Sequence, residues 1–245
     1  MREVHLSRCS NAVCLPVPQS RFEEVHLWHF VLDVPCACHM DVARVLTAEE
    51  LKRAAEIATP LLRHRALLSR AMLRCLIAAY LRHPPQDIEL STGPQGKPML
   101  AFRHASALQF NLSHTESHLL IAIADSRRVG VDIESHRPIP EWLDLARGFL
   151  AQEETDSLLQ LREGGSRAFI DLWTRKEACL KATGEGLMRD LRSFTVPCLP
   201  HQRGWVSLPM TDAPAISLEI HSLDLGPQRA GALAVEAGCA ALIYV

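Results

Sequence analysis

The chain lacks the short signatures that assign an activity at sight. Its 245 residues contain no G-x-G-x-x-G, no G-x-x-x-x-G-K-[ST] and no G-x-S-x-G. That removes the dinucleotide fingerprint, the phosphate-cradling P-loop and the nucleophile elbow of α/β-hydrolases. Charge of one sign is scarce as well. Lys+Arg 26 stands against Asp+Glu 28 for a net charge of −2, so no whole-molecule field steers the protein to nucleic acid or to an anionic bilayer, and any anion site must be local. Long hydrophobic runs are missing: the best one, residues 61–81, carries Arg63, Arg65, Arg70 and Arg74, too many charges for a membrane span. The opening MREVHLSRCSNAVCLPVP has no apolar core of the signal-peptide kind, which leads to the expectation of a cytoplasmic protein. No short tandem repeat appears.

What is present is ordinary globular material, 48% hydrophobic and 22% charged, enough for one large domain or two small ones. The eight cysteines are irregularly spaced. Cys75, Cys179 and Cys239 lie in apolar runs and read as buried thiols. The run Cys36-Ala37-Cys38-His39 invites zinc, yet no partner C-x-x-C accompanies it, as a tetrahedral structural site would require.

The densest stretch is FIDLWTRKEACLKATGEGL, residues 169–187. At about 100° per residue, Phe169, Leu172, Trp173, Cys179 and Leu180 share one helical face. Lys176 falls in the middle of that face, and Glu177 and Lys181 flank it one helical step apart. Asp171, Arg175 and Ala178 take the opposite side, read as solvated. Gly184 and Gly186 end the helix. Charged groups on a face that should be buried cost free energy unless they are paired or bind something. A structural Lys/Glu pair and a binding site both account for the pattern.

Before this helix, residues 1–20 read as a proline-dotted arm and residues 25–34 as a strand. Thr47-Ala48-Glu49-Glu50 is a capping box that opens a short helix. Pro60 opens a long helix to about Tyr80, whose Arg63, Arg70 and Arg74 share a face that is either solvated or anion-binding. A breaker-rich turn, residues 91–98, presents Lys97. Residues 110–114 lead into a strand, 119–124, apolar enough to be buried on both faces. Ser113 and His114 thus occupy either an ordinary loop or an anion-binding corner. Residues 129–134 form a second strand, with Val131 and Ile133 inward and Asp132 and Glu134 together on the other face. At a rise of about 3.3 Å per residue those carboxylates stand about 7 Å apart and repel unless a cation lies between them. Hard oxygen ligands of that sort suit Mg²⁺; an exposed strand face is the plain alternative. Helices at 142–150 and 152–161 follow. Beyond Gly186 come strands at 193–196, 205–208, 216–221, 232–235 and 240–245. Helices with short strands joined by polar turns point to an α+β fold.

Three motifs stand in fixed order: Asn111-x-Ser113-His114, Gly130-x-Asp132-x-Glu134, and Trp173-x-x-Lys176-Glu177-Ala178-x-x-Lys181 with Gly184-x-Gly186-Leu187. Together with His64-Arg65 and Gly96-Lys97-Pro98, they resemble the 4′-phosphopantetheinyl transferase superfamily, of the longer type that activates surfactin synthetase and similar megasynthases. The likeness runs from about Arg63 to Val196. It implies a monomer of two similar α/β halves, residues 1–128 and 129–245, related by a pseudo-twofold axis with the site in the cleft between them. It implies transfer of phosphopantetheine from coenzyme A, as co-substrate, to a serine of an apo acyl or peptidyl carrier protein, with release of adenosine 3′,5′-bisphosphate. By the same resemblance Asp132, Glu134 and Glu177 are Mg²⁺ ligands, Arg65, Lys97, Ser113, His114 and Lys181 meet coenzyme A, and Glu177, Lys181 and His114 carry the chemistry.

The chain departs from the pattern where Glu50, Lys52 and Arg53 stand in place of the lysines that commonly hold the 3′-phosphate. The first 45 residues show no match. Two other classes compete with the transferase reading. One is a non-catalytic coenzyme A-binding relative, which would have lost a metal carboxylate. The other is a zinc-held interaction module on Cys36, Cys38 and His39.

Overall fold

The computed structural model describes residues 24–33, 41–93, 95–161, 163–198, 204–210, 214–238 and 241–244. The arm at 1–20, the Cys36–His39 cluster and Cys239 lie outside them. Among the described residues no helix is long and apolar enough to cross a membrane.

The first strand, β1 (Glu24–Val31), is followed by two short helices, α1 (Val42–Val45) and α2 (Ala48–Ala55), and by the long α3 (Pro60–Leu81). A hairpin of β2 (Leu90–Thr92) and β3 (Pro98–Leu100) precedes β4 (Leu108–Thr115) and β5 (His118–Asp125). Then come β6 (Val129–Ser135), α4 (Trp142–Phe149), α5 (Gln152–Leu159) and α6 (Gly165–Thr183). The last strands are β7 (Gly204–Leu208), β8 (Ile216–Ser222), β9 (Arg229–Glu236) and β10 (Ala241–Tyr244). Two four-stranded sheets result, ordered β10-β1-β5-β4 and β6-β9-β8-β7. The fold is α+β, and among the described residues every pairing is antiparallel except β1 with β10.

The two sheets and two long helices form layers. On one face of the first sheet, Trp28, Phe30, Leu119, Ile121 and Ile123 pack against Met72, Leu73, Leu76 and Ile77 of α3. On its other face, Val25, Leu27, Leu120, Ala122 and Ala124 meet Val129, Val131, Ile133, Leu233 and Val235 of the second sheet. β5 lies between two cores, which is why its sequence is apolar without alternation from Leu119 to Ala124. The far face of the second sheet receives α6 over Ala230, Ala232 and Ala234. These small residues let the helix come close.

Three sequence expectations change. First, residues 110–114 are no lead-in loop but the body of β4. Its Leu108 and Phe110 turn to the α3 core, and the alternate residues turn to β6. Second, residues 193–196 form no strand. A 3₁₀ turn at Leu191–Ser193 and an unpaired segment wrap α6 instead, burying Leu191, Phe194 and Val196. The helix side read as solvated is covered in part by that wrap and in part by the second sheet, while Asp171 stays half-buried beside His136 at 2.8 Å. Arg175 is 3% exposed and donates to Ser222 Oγ at 3.1 Å and to the carbonyls of Pro197 and Cys198 at 2.8 and 3.3 Å, and Ala178 is fully buried. Third, the arginine stripe of α3 is spent internally. Arg70 and Arg74 close on Glu50 of α2 at 2.5 and 2.8 Å, Arg74 also donates to the carbonyls of Pro85 and Ile88, and Arg63 donates to Ile57 O.

Lys176 is structural, and its partner is not Glu177. Its ammonium, wholly buried, meets Glu154 Oε2 of α5 at 2.7 Å and donates to Leu191 O at 2.9 Å and Phe194 O at 2.5 Å. It lies over the Phe194 ring at 4.4 Å. Glu154 in turn accepts from Ala151 N at 2.9 Å and Val196 N at 2.8 Å. One ion pair thus supplies hydrogen bonds to a segment that has no strand partner, the condition under which a buried charge is tolerated. Removing one member should cost more than removing both. Lys176→Met is expected to lose about 3–5 kcal/mol in urea denaturation, because it strands Glu154, and Lys176→Met with Glu154→Gln should recover part of that loss. A single variant as stable as the parent would contradict the assignment.

Candidate active site

The site forms where β4, β6 and α6 converge, and a glycine sets the distance. Gly130, two residues before Asp132, lies directly on α6. A Cβ built there would stand 2.1 Å from Ala178 O and 2.3 Å from Ala182 N. A glycine inside a strand pattern is the signal of such an approach. With strand and helix backbones in contact, Asp132 and Glu134, on the same face as Gly130, are delivered to Glu177 and Lys181.

β4 meets β6 through side chains instead of a backbone ladder. Asn111 Oδ1 accepts from Val131 N at 2.9 Å, Ser113 Oγ donates to Asp132 Oδ1 at 2.7 Å, and Thr115 Oγ1 lies 3.3 Å from Ser135 Oγ. These alternate residues fix the register between the two sheets. Lys181 Nζ completes a triangle, 2.6 Å from Asp132 Oδ1 and 2.9 Å from Ser113 Oγ. Asp132 is 3% exposed, so an exposed strand face is excluded.

Two carboxylate oxygens in this cluster, Asp132 Oδ2 and Glu177 Oε1, are buried without a hydrogen-bond partner among the described residues. Orphaned buried acceptors are rare and are met by water, an ion or another ligand. Loss of surrounding water, and then repulsion from Asp132, push the Glu134 and Glu177 carboxyls above the ordinary 4.5, with Lys181 acting against that at both. Arg137 also opposes the shift at Glu134. Three acidic groups thus crowd one ammonium. As they stand, no three His, Cys, Asp or Glu side chains among the described residues converge closely enough to hold an ion. The donor set and its two free oxygens nevertheless fit a hard divalent cation, which would relieve the same repulsion.

The remaining expected residues lie around this cluster in different ways. His114 follows Ser113 on β4 and is the exposed member of the set. Loss of water, and then the Lys181 ammonium, lower its pKa from 6.5 and so favour the neutral imidazole. Lys97 reaches the backbone of α6, donating to Lys181 O at 2.6 Å. Arg65 stands apart from the carboxylates, in a two-pronged ion pair with Asp33 in the turn after β1, its Nε 2.9 Å from Oδ1. Sequence reasoning missed the spacing role of Gly130 and the Asn111 and Thr115 bridges. The in-strand glycine was the available signal for the first; the bridges required knowing that β4 is a strand.

Comparison with known proteins identifies the family. Residues 128–235 match the family model described as the 4′-phosphopantetheinyl transferase superfamily. Residues 35–126 match the model described as 4′-phosphopantetheinyl transferase, N-terminal. The chain is 38% identical over 169 residues to the 4′-phosphopantetheinyl transferase HetI of Nostoc sp., covering 68% of this chain and 71% of the relative. It is 36% identical to psf-1 of Bacillus pumilus, over 68% of this chain and 69% of the relative. Against Sfp of Bacillus subtilis it is 34% identical over 61% of this chain and 64% of that one. The chain belongs to the 4′-phosphopantetheinyl transferase superfamily. It is an enzyme that transfers phosphopantetheine to carrier proteins.

The raised carboxyls make a stability prediction. Between 4.5 and their raised values the folded chain holds protons that the unfolded chain has released, so stability falls as pH rises through that window, and the penalty is fully present above it. Glu177→Gln removes one of the crowded charges. It is expected to raise the melting temperature at pH 7 by about 2–4 °C and to flatten the fall in stability with rising pH. A lower melting temperature for the variant at pH 7 would show that the cluster is not electrostatically strained.

Proposed function

We propose that the donor is coenzyme A, the acceptor a serine of an apo acyl or peptidyl carrier protein, and the second product adenosine 3′,5′-bisphosphate. The observation that carries this reading is the pair of buried, unpartnered oxygens Asp132 Oδ2 and Glu177 Oε1 in a cluster whose Lys181 ammonium is bound to Asp132 Oδ1. Displacement at a diphosphate needs mainly positioning and neutralisation of spreading charge. Asp132, Glu134 and Glu177 would hold Mg²⁺, which when bound supplies Lewis-acid charge to the diphosphate oxygens. Lys181, held beside Asp132, would add its ammonium charge to the phosphates. Ser113, by turning its hydroxyl from Asp132 Oδ1, and His114 hydrogen-bond the donor, and Arg65, released from Asp33, adds a cation. Glu177, the carboxylate raised by burial and by Asp132, accepts the proton of the attacking serine hydroxyl. A non-catalytic relative is disfavoured by the presence of all three carboxylates.

The site belongs to a seam between two halves, residues 1–128 and 129–245, that act as one cytoplasmic monomer. A pseudo-twofold relation between the halves is supported by their matching topology. In the first, β1 precedes the long α3 and the β4–β5 hairpin follows, in sheet order β1-β5-β4. In the second, β6 precedes the long α6 and the β8–β9 hairpin follows, in sheet order β6-β9-β8.

Purified protein, coenzyme A, Mg²⁺ and a panel of apo carriers, read by intact mass, test the reading. The parent should convert at least one carrier, and excess chelator should stop it. Asp132→Ala should abolish transfer without loss of fold; turnover like that of the parent would sink the metal assignment. The two neighbours on α6 should then separate in steady-state kinetics. Glu177→Gln is expected to lower kcat by about a hundredfold or more, with added Mg²⁺ restoring only part. Lys181→Ala should raise the KM for coenzyme A as well as lower kcat. Full recovery of Glu177→Gln by Mg²⁺ would leave Glu177 a ligand only.

A further inference from the structure

We infer that Lys97 is a positioning residue, whose ammonium ties together the two backbone segments that carry Lys181 and Asp132. The resemblance counts Lys97 among the coenzyme A contacts, but its hydrogen bonds give it other work. Lys97 Nζ donates to Lys181 O at 2.6 Å and to Val129 O at 3.3 Å. Two of the three N–H groups of an ammonium are thereby engaged with carbonyls.

Both carbonyls are well chosen for this purpose. α6 ends at Gly184, whose N–H returns to Leu180 O at 2.9 Å, while Glu185 N turns to Thr183 Oγ1 at 3.5 Å. Lys181 O is therefore a last-turn carbonyl without a helical partner, where a cation is favoured by both hydrogen bonding and the helix dipole. Val129 opens β6, three residues before Asp132. A single ammonium thus joins the backbone of Lys181 to the strand that delivers Asp132, and these two side chains form the 2.6 Å ion pair of the site.

The loop that delivers Lys97 is seated on the same helix end. Gly96, at φ +78°, closes the turn between β2 and β3, and Gly93 N donates to Lys97 O at 2.8 Å. A Cβ on Gly186, just past α6, would stand 3.3 Å from Gln95 Cβ. Among the described residues Lys97 has no carboxylate partner. Burial, and then the neighbouring Arg128, push its pKa down to about 8. An ammonium held this way costs free energy that only its two carbonyls offset. In this arrangement Lys97 acts through Lys181 and Asp132, not on the donor itself.

The inference concerns the same site as the proposed function and rests on it for its kinetic test. Lys97→Met and the milder Lys97→Gln are compared with the parent, alone and in the Lys181→Ala background. Coenzyme A dissociation constants by calorimetry should stay within about threefold of the parent, while kcat falls by about tenfold or more. On top of Lys181→Ala the same change should lower kcat by less than about threefold, because the interaction it serves is already gone. A rise of about tenfold in the dissociation constant with kcat unchanged would make Lys97 a coenzyme A ligand, and a fully multiplicative loss in the double variant would show that it acts independently of Lys181; either overturns the inference.

Hydrogen exchange supplies an arm that needs no turnover. Lys97→Gln should speed amide exchange in residues 129–132 and 181–184 together by about tenfold, leaving α3 unchanged. If the parent transfers nothing to any carrier, the proposed function fails, and exchange alone decides Lys97. Unaltered protection at both segments would refute the tie. Should Lys97→Met not fold, Lys97→Gln carries both readings.

Discussion

The site depends on backbone contact between β6 and α6 at Gly130. No side chain fits between that strand and Ala178 or Ala182, so α6 lies as near to the sheet as two backbones allow. The alanines of β9 extend the flat bed. From this closeness follow the burial of Asp132, its ion pair with Lys181 and the crowding of Glu134 and Glu177. A larger residue at position 130 would open the seam and give the carboxylates room to be hydrated separately. The crowding of the carboxylates, which raises Glu134 and Glu177, accompanies this backbone contact.

α6 carries two lysines five residues apart with different tasks. Lys176 points into the helix-wrapping segment, where Glu154 and two carbonyls satisfy it completely. Lys181 points to the seam, where it faces more acid than it can neutralise and two oxygens remain unpaired. The difference between a structural and a functional buried charge here is hydrogen-bond completeness. The first pair closes its own account; the second cluster leaves capacity for something that is not part of the chain.

Much of this was legible in the sequence. The capping box at Thr47, the start of α3 at Pro60, the apolar β5, the in/out alternation of β6 and the glycine end of α6 all follow local rules, and each appears in the structure. The order of motifs led to the family. What was not legible was long-range. The side of α6 bearing Arg175 looks solvated by period alone, because nothing local announces that residues 186–198 return to cover it. Glu154, the true partner of Lys176, is 22 positions away in sequence and sits in an unremarkable acidic helix start. β4 read as a loop because its polar alternate positions meet another sheet's edge through side chains, a pairing that hydrophobic periodicity does not encode. The arginines of α3 looked available because Glu50 belongs to a different helix.

The central claim is that Asp132, Glu134 and Glu177 are held together under repulsion for a cation to relieve. The most direct measurement is a titration of the carboxyl carbon of Glu177 by NMR, in selectively labelled protein, with and without Mg²⁺. Without metal its midpoint should lie above 4.5; with saturating Mg²⁺ it should fall below that value, because the nearby charge then favours the ionised form. A Glu177 midpoint that is ordinary without metal and indifferent to Mg²⁺ would contradict the account.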